Sequence, residues 1–498
     1  MGYLLDHFAM VKRRITDDLL LAPREPGRPA ARWLYAALRS AILEGRLRPG
    51  ARLPATRGLA EQHGLSRGTI VRAFEQLRAE GYVEANVGSG TYVTRVLPDR
   101  LLEAAAIAHR QAGSPKRVRQ LSQHAQRLRA FPPYSSTPAR AFRTDQPAVD
   151  LFPTTLWSQV AARRLRRASS TLLQGCDPLG YRPLREAVAD YLRTSRAVHC
   201  DAEQVAIVSG VQEALDLAAR LFVDPGDRVA VENPGYIGAA QVFEAYGAKI
   251  SPVRIDEEGM TLRLSALANA RLIYVTPAHQ FPLGVAMSLS RRLALLEWAQ
   301  RSGALIFEDD YDAEYRYSGR PLPALQGLDR HGQVLFAGSF SKVLFPSLRL
   351  GYLVAPADVM DRIAAAQSLT HRHAPLLEQA VLADFLREGH FARHVRRMRQ
   401  VYAERLSVLL ESAQAELAGV LELSTIEAGL QTVGWLKGKD GERAAAAAAR
   451  RKVEVTPLAR YTRGRVLEDG LILGFAAVDP KEIRRGVRDL AAALKASR

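Results

Sequence analysis

Three segments of this 498-residue chain place reactive or ligand-binding side chains directly after a short apolar run. Gly338-Ser339-Phe340-Ser341-Lys342 follows the run 334–337, with Arg349 seven residues beyond the lysine. Glu308-Asp309-Asp310-Tyr311 follows 304–307, and Ser209-Gly210-Val211-Gln212 follows 205–208. In open α/β sheets ligands collect beyond the carboxyl ends of the strands. Taken singly, each segment has a plainer reading: a solvated lysine, helix-capping acids, a small polar turn. Taken together, they match the needs of pyridoxal 5′-phosphate. That cofactor requires a lysine for its imine, a carboxylate against its pyridine nitrogen and a cup for its phosphate. Lys342 supplies the first and Asp309 the second. The Gly210-Val211 turn, Ser339 and Arg349 supply the third, since the start of a helix attracts phosphate. Tyr311 is placed to hydrogen-bond the ring phenolate, and Tyr236, in Glu232-Asn233-Pro234-Gly235-Tyr236, to stack on the ring face. Only nine lysines occur in the chain, which gives one at this spot some weight.

The elements that must hold these residues follow from periodicity. From about 146 onward, short apolar runs (205–208, 228–231, 272–275, 305–307, 334–337, 351–354) alternate with helical patterns, which predicts an α/β domain with a mostly parallel sheet. Beyond about 385 a long helix, short strands such as 471–475 and a closing helix predict a smaller α+β subdomain. The chain's front reads differently. Leu34, Leu38, Ala41 and Ile42 form one helical stripe that stops at Gly45, a second short helix starts near Thr56 as its N-cap, and a third follows Ser66. Val83 and Val93 flank a turn containing Gly88-Ser89-Gly90, so the front is a winged helix-turn-helix over 27–95. In that motif the N-terminal turn of the last helix enters the major groove, which nominates Arg67 and Thr69 after the Ser66 cap. Arg57 is placed for a phosphate, and Gly88 and Gly90 let the wing backbone approach DNA. Residues 96–145, rich in Arg, Ala and Gln, read as a basic linker, and 146–498 as the ligand-binding body.

Charge supports this division. The chain holds 69 Lys and Arg against 52 Asp and Glu, a net +17. Residues 1–145 carry +12 of it, whereas the following 353 residues are close to balanced. A basic front on a neutral body suits nucleic acid at one end and something else at the other. With 47% hydrophobic and 24% charged residues, a mainly disordered or collagen-like chain is excluded. Cys176 and Cys200 lack CxxC spacing, and no long uncharged apolar run appears, so a reducing cytoplasm and no membrane span are expected.

Two resemblances attach to these residues. The stretch Leu34 to Val93, with AILEGRLRPGARLPATRGLA, LSRGTIVRAFEQLRAEGY and GSGTYV, resembles the DNA-binding domain of the GntR family of bacterial regulators. There the arginine of LPxxR, the SRxT residues and the wing glycines touch DNA, which implies Arg57, Ser66, Arg67, Thr69, Gly88 and Gly90. The body resembles fold type I aminotransferases, and the order of head and body resembles the MocR subfamily. The motifs are LFPTTLW (151–157), DPLGYRPLREAVADYL (177–192), VSGVQEALDL (208–217), ENPGY (232–236), TPAHQFPLG (276–284), EDDYDAEYRY (308–317), GSFSKVLFPSLRLGYLV (338–354) and LILGFA (471–476). The resemblance implies Lys342 as the imine lysine, Asp309 as the pyridine partner and Arg349 as a phosphate or substrate-carboxylate ligand. It nominates Arg460, in TPLARYT, to grip an effector carboxylate. It also implies a homodimer reading double-stranded operator DNA and sensing an amine, an amino acid or a B6 vitamer. Three positions depart from the related patterns. Gly175, in Gly175-Cys176-Asp177-Pro178, stands where related sequences tend to carry the tyrosine of Tyr-Gly-Asp-Pro, Phe281 where ordinary aminotransferases place asparagine, and Gln431 where a histidine commonly follows the AGL turn. The rivals are an active aminotransferase carrying a DNA-binding head, and a GntR-type repressor with a degenerate body.

Overall fold

The computed structural model describes residues 21–24, 27, 29–86, 90–97, 119–131, 137–317, 323–438, 440–464 and 468–496. Gly88, and most of the stretch read as linker, lie outside them. The chain divides into two compact units, 1–120 and 121–498.

In the first unit, helix α1 (Ala30–Leu43) buries Trp33, Leu34, Leu38, Ala41 and Ile42, the stripe expected from their spacing. Helix α2 (Thr56–His63) ends on Gly64, whose φ of +62° is the left-handed stop that glycine tolerates best. Thr56 is the first helical residue, not the cap: Ala55 holds the cap position, with no side-chain cap bond. Helix α3 (Arg67–Ala79) is capped as its sequence predicts, the Ser66 hydroxyl accepting from the Thr69 amide at 3.2 Å. It turns Ile70, Ala73, Phe74 and Leu77 inward. Strands β1 (Val83–Asn86) and β2 (Gly90–Val93) pair antiparallel, Val83 opposite Val93 and Asn86 opposite Gly90. Three helices and a hairpin wing close over one small apolar core.

The second unit is built on an eight-stranded sheet of order β3-β10-β9-β8-β7-β4-β5-β6. Its strands are β3 (Val205–Val208), β4 (Arg228–Asn233), β5 (Lys249–Asp256), β6 (Gly259–Met260), β7 (Ala270–Val275), β8 (Leu305–Asp310), β9 (Val334–Ser339) and β10 (Gly351–Val354). Strands β5, β4, β7, β8 and β9 run parallel; β10 is antiparallel to both its neighbours, and β6 to β5. The central strands are buried on both faces, so they read as continuous Val/Ile/Leu runs. A second, antiparallel sheet joins β11 (Leu421–Leu423), β12 (Gln431–Leu436), β14 (Gly470–Gly474) and β13 (Thr456–Pro457). Helices His390–Glu416 and Pro480–Ala496 pack with it.

The end of the stretch read as linker joins this unit. Phe142 is fully buried, and its carbonyl accepts from the Gly474 amide at 3.0 Å. Arg127 donates to the Ala245 carbonyl at 3.0 Å. Low hydrophobicity hid this packing, because two buried aromatic and aliphatic side chains are enough to dock a short segment.

Candidate functional site

Strands β3, β8 and β9 deliver their carboxyl ends to one side of the sheet, and with them the three expected segments. Asp309, the penultimate residue of β8, is 5% exposed. Its Oδ2 accepts from the Tyr274 hydroxyl at 2.7 Å, while Oδ1 is buried with no hydrogen-bond partner among the described residues. Burial pushes the carboxyl up to about 7, against the lowering effect of the Tyr274 bond; Asp310 and Glu232 add to the rise and Lys342 opposes it. A buried acceptor with an open lone pair is costly unless a donor fills it. A protonated ring nitrogen is such a donor, and its charge would hold Asp309 ionised.

Lys342 sits in the short helix Phe340–Val343 that directly follows β9. Its Nζ donates to the Asp145 carbonyl at 3.0 Å and lies 3.0 Å from Asp145 Oδ1. Asp145 has a φ of +63°, a conformation uncommon outside glycine and frequent at functional sites. Nothing in its sequence surroundings marks it, since 197 residues separate it from the lysine it meets.

The residues expected to cup a phosphate follow the ends of β3 and β9. Gly210 adopts φ +136° and ψ −179°, a backbone state reserved for glycine, and starts the helix Val211–Phe222 with no side-chain cap. A Cβ at Gly210 would lie 3.4 Å from a guanidinium nitrogen of Arg349. Arg349 itself is exposed and left-handed, at φ +50°. Ser339 Oγ accepts from the Ser341 amide at 3.2 Å, and Ser341 Oγ is buried without a partner among the described residues. Ser341 thus adds a second hydroxyl two residues from Ser339. Amides at a helix start, two hydroxyls and a guanidinium form a donor set suited to a phosphate dianion.

The residues expected around the ring pack with further aromatics. Phe281 packs edge-on against Tyr236 at 5.9 Å, Tyr311 at 5.8 Å and Tyr461 at 5.0 Å. The position where asparagine stands in ordinary aminotransferases therefore offers no hydrogen bond here. Tyr311 Oη lies 2.9 Å from His279 Nδ1, which lies 3.0 Å from Asp312 Oδ1. Burial holds the Tyr311 hydroxyl well above its ordinary value, so it stays protonated at neutral pH. A cavity of about 1180 Å³ is lined by Asn233, Pro234, His279, Ile426 and others, but by none of Lys342, Asp309, Tyr311, Ser339 or Arg349.

Arg460 behaves differently from its nomination. It stands on the turn Leu458–Tyr461, exposed, with Nε and Nη2 each 3.0 Å from a carboxylate oxygen of Glu442. To grip an effector carboxylate it would first have to leave that pair. On the head, Arg57 and Arg67 are exposed in the first turns of α2 and α3. Ser66 Oγ and Thr69 Oγ1 lie 2.8 Å apart, so these two hydroxyls serve the cap as well as any DNA contact. At Gly90, φ is +114° and a Cβ would come within 2.7 Å of the Arg52 guanidinium. The wing favours glycine there for its backbone conformation, whatever it contacts, since the Arg52 side chain could move aside.

Fold and site together define an aminotransferase-like body that binds pyridoxal phosphate, behind a winged-helix head. The chain matches the family "Aminotransferase class I and II" over residues 149–490 and "Bacterial regulatory proteins, gntR family" over 30–93. It is 41% identical to the probable rhizopine catabolism regulatory protein MocR of Rhizobium meliloti over 480 residues, covering 96% of each chain. It is 31% identical to the pyridoxine biosynthesis regulator PdxR of Corynebacterium glutamicum, covering 94% of this chain and 96% of that one. Among solved structures, α-aminoadipate aminotransferase LysN of Thermus thermophilus, complexed with N-(5′-phosphopyridoxyl)-L-leucine, is similar. It has a TM-score of 0.69 and 31% identity over 76% of this chain and 97% of that one. The chain belongs to the MocR subfamily of GntR-family transcription regulators, which join a helix-turn-helix head to an aminotransferase-like body.

Proposed function

We propose that the body senses a small amino compound (an amine, an amino acid or a B6 vitamer) at Lys342 and that the head answers on double-stranded operator DNA as part of a homodimer. The Oδ1 of Asp309 carries this reading: it is a buried acceptor without a partner among the described residues, in a body joined to a winged-helix head. When bound, the cofactor supplies an electrophilic carbon and a ring that withdraws electrons. Lys342 would hold it covalently, Asp309 its ring nitrogen, Tyr311 its phenolic oxygen, Tyr236 its face. The Gly210-Val211 amides, Ser339, Ser341 and Arg349 would hold its phosphate. Lys342, when not joined to the cofactor, would have the Asp145 carbonyl as the acceptor for its Nζ. Arg349 or Arg460 would receive an effector carboxylate, Arg460 by exchanging Glu442 for it. The ligand can shift DNA binding only by the difference in its affinity for two arrangements of the protein. Such a regulator works where its operator is, in the bacterial cytoplasm.

Protein incubated with pyridoxal phosphate should develop a visible absorption band, which Lys342→Ala should abolish. A wild type that stays colourless overturns the reading. The rival, a working aminotransferase with a DNA-binding head, draws on the retained Lys342 and Asp309. Sustained turnover of an amino donor with a keto acceptor would favour it, whereas a band shift that stops after one equivalent of amine favours the sensor.

A further inference from the structure

We propose that Asp312 and His279 form a positioning pair that makes the Tyr311 hydroxyl a donor toward the phenolic oxygen of the bound cofactor. This rests on the reading of Tyr311 as the residue facing that oxygen.

Tyr311 Oη and Asp312 Oδ1 meet the same imidazole nitrogen, Nδ1 of His279, at 2.9 and 3.0 Å. A ring nitrogen offers either one hydrogen or one lone pair. An ionised carboxylate has only lone pairs to offer, so Asp312 requires the hydrogen on Nδ1. Nδ1–H is then shared between the carboxylate and the phenol oxygen. Tyr311 accepts from the histidine, and its own O–H is left for another acceptor. Without Asp312 the other tautomer is open: Nδ1 would accept from Tyr311 and consume the only hydrogen the tyrosine has.

The surroundings keep this arrangement in one register. Asp312 and His279 are 1% and 4% exposed. His279 Nε2 is buried without a partner among the described residues, so no hydrogen bond at that end competes for the choice of tautomer. A Cβ at Gly429 would lie 2.0 Å from His279 Cε1, and one at Gly284 would lie 3.2 Å from Nε2. Both glycines have positive φ, +92° and +79°, so glycine is required there twice over, and the imidazole fits the slot between them. Phe281, edge-on to Tyr311, offers no hydrogen bond to compete for that hydroxyl.

The test loads full-length variants with pyridoxal phosphate and measures, at one fixed pH, the ratio of the two long-wavelength absorption bands of the lysine-bound cofactor, together with cofactor affinity. Tyr311→Phe should change the ratio by about threefold or more, the size of half a pKa unit. Asp312→Asn, whose amide can donate to Nδ1 and force the wrong tautomer, should move it in the same direction. His279→Gln should do likewise and guards against misfolding of the Asp312 variant. Combined with Tyr311→Phe, neither should change the ratio further. If Tyr311→Phe moves the bands but Asp312→Asn and His279→Gln leave them at the wild-type ratio, or add to it in the double variants, the cluster is only structural and the pair is refuted. If Tyr311→Phe itself leaves the bands unmoved, the placement of Tyr311 fails, and the pair with it.

Discussion

The head and the body handle charge in opposite ways. In the head, Arg57, Ser66 and Arg67 are exposed on the first turns of two helices, above a core that is entirely apolar. In the body, Glu232, Glu308, Asp309 and Glu314 are buried, and burial pushes each carboxyl up to about 7. The difference follows from the ligands. A DNA backbone is a long polyanion met by surface cations at little desolvation cost. A small cofactor is gripped by few groups, which gain strength by leaving water and become costly when unpaired. One chain therefore carries a solvated site and a dry one.

The widest test of that contrast is pH, because it acts on four buried carboxylates together. An acid whose folded value is raised takes up a proton on folding, so its stabilising effect is complete below about pH 4 and is lost as pH rises through about 7. The melting temperature of the body should fall as pH is raised from 5 to 7.5, and loading with pyridoxal phosphate should recover part of the loss by holding Asp309 ionised. A body that melts at the same temperature across that range would break the comparison. Next in size, Arg196→Ala should destabilise the body by about 3 to 5 kcal/mol in denaturant titration, since it strands Asp310. The pair is buried, with guanidinium nitrogens 2.7 and 3.0 Å from the two carboxylate oxygens. Asp309→Ala should weaken cofactor binding by about 2 to 5 kcal/mol, read by fluorescence titration, with the head's affinity for DNA in the absence of cofactor unchanged. Arg67→Ala should cost about 1 to 3 kcal/mol of operator affinity and relax specificity, whereas Arg57→Ala should weaken binding to all sequences and lower the salt slope by about one. Smallest, Ser66→Ala should remove the cap of α3 and destabilise the head by about 0.5 to 2 kcal/mol. If the Arg67→Ala loss exceeds that of the buried body groups, the head's site is less solvated than its structure indicates.

Much of this was legible in advance because it is local. Apolar periodicity located α1, α3 and the central strands, and the motifs at strand ends located Lys342, Asp309 and the Gly210 turn. Thr56 was misassigned by one position, since nothing in a short run distinguishes a cap from the first helical residue when Ala55 can serve. His279 and Asp312 stood in two recognisable motifs, yet their meeting at one nitrogen had no signal in either. Arg460 was nominated for a ligand without its Glu442 partner, which lies eighteen residues away and on another element. Arg52 against Gly90 was equally invisible.

The residues alone set the two folds, their order and the cofactor, and put a lysine and a carboxylate at neighbouring strand ends. Those depend on hydrophobic period and on residue type at the end of a strand, both readable within a few neighbours. Only the tertiary structure decided which groups share a proton or an ion pair: Asp145 with Lys342, Tyr274 with Asp309, Asp312 with His279 and Tyr311. Hydrogen bonds act over about 3 Å and are indifferent to separation along the chain. Partners 197 residues apart become neighbours only once the sheet has brought them together.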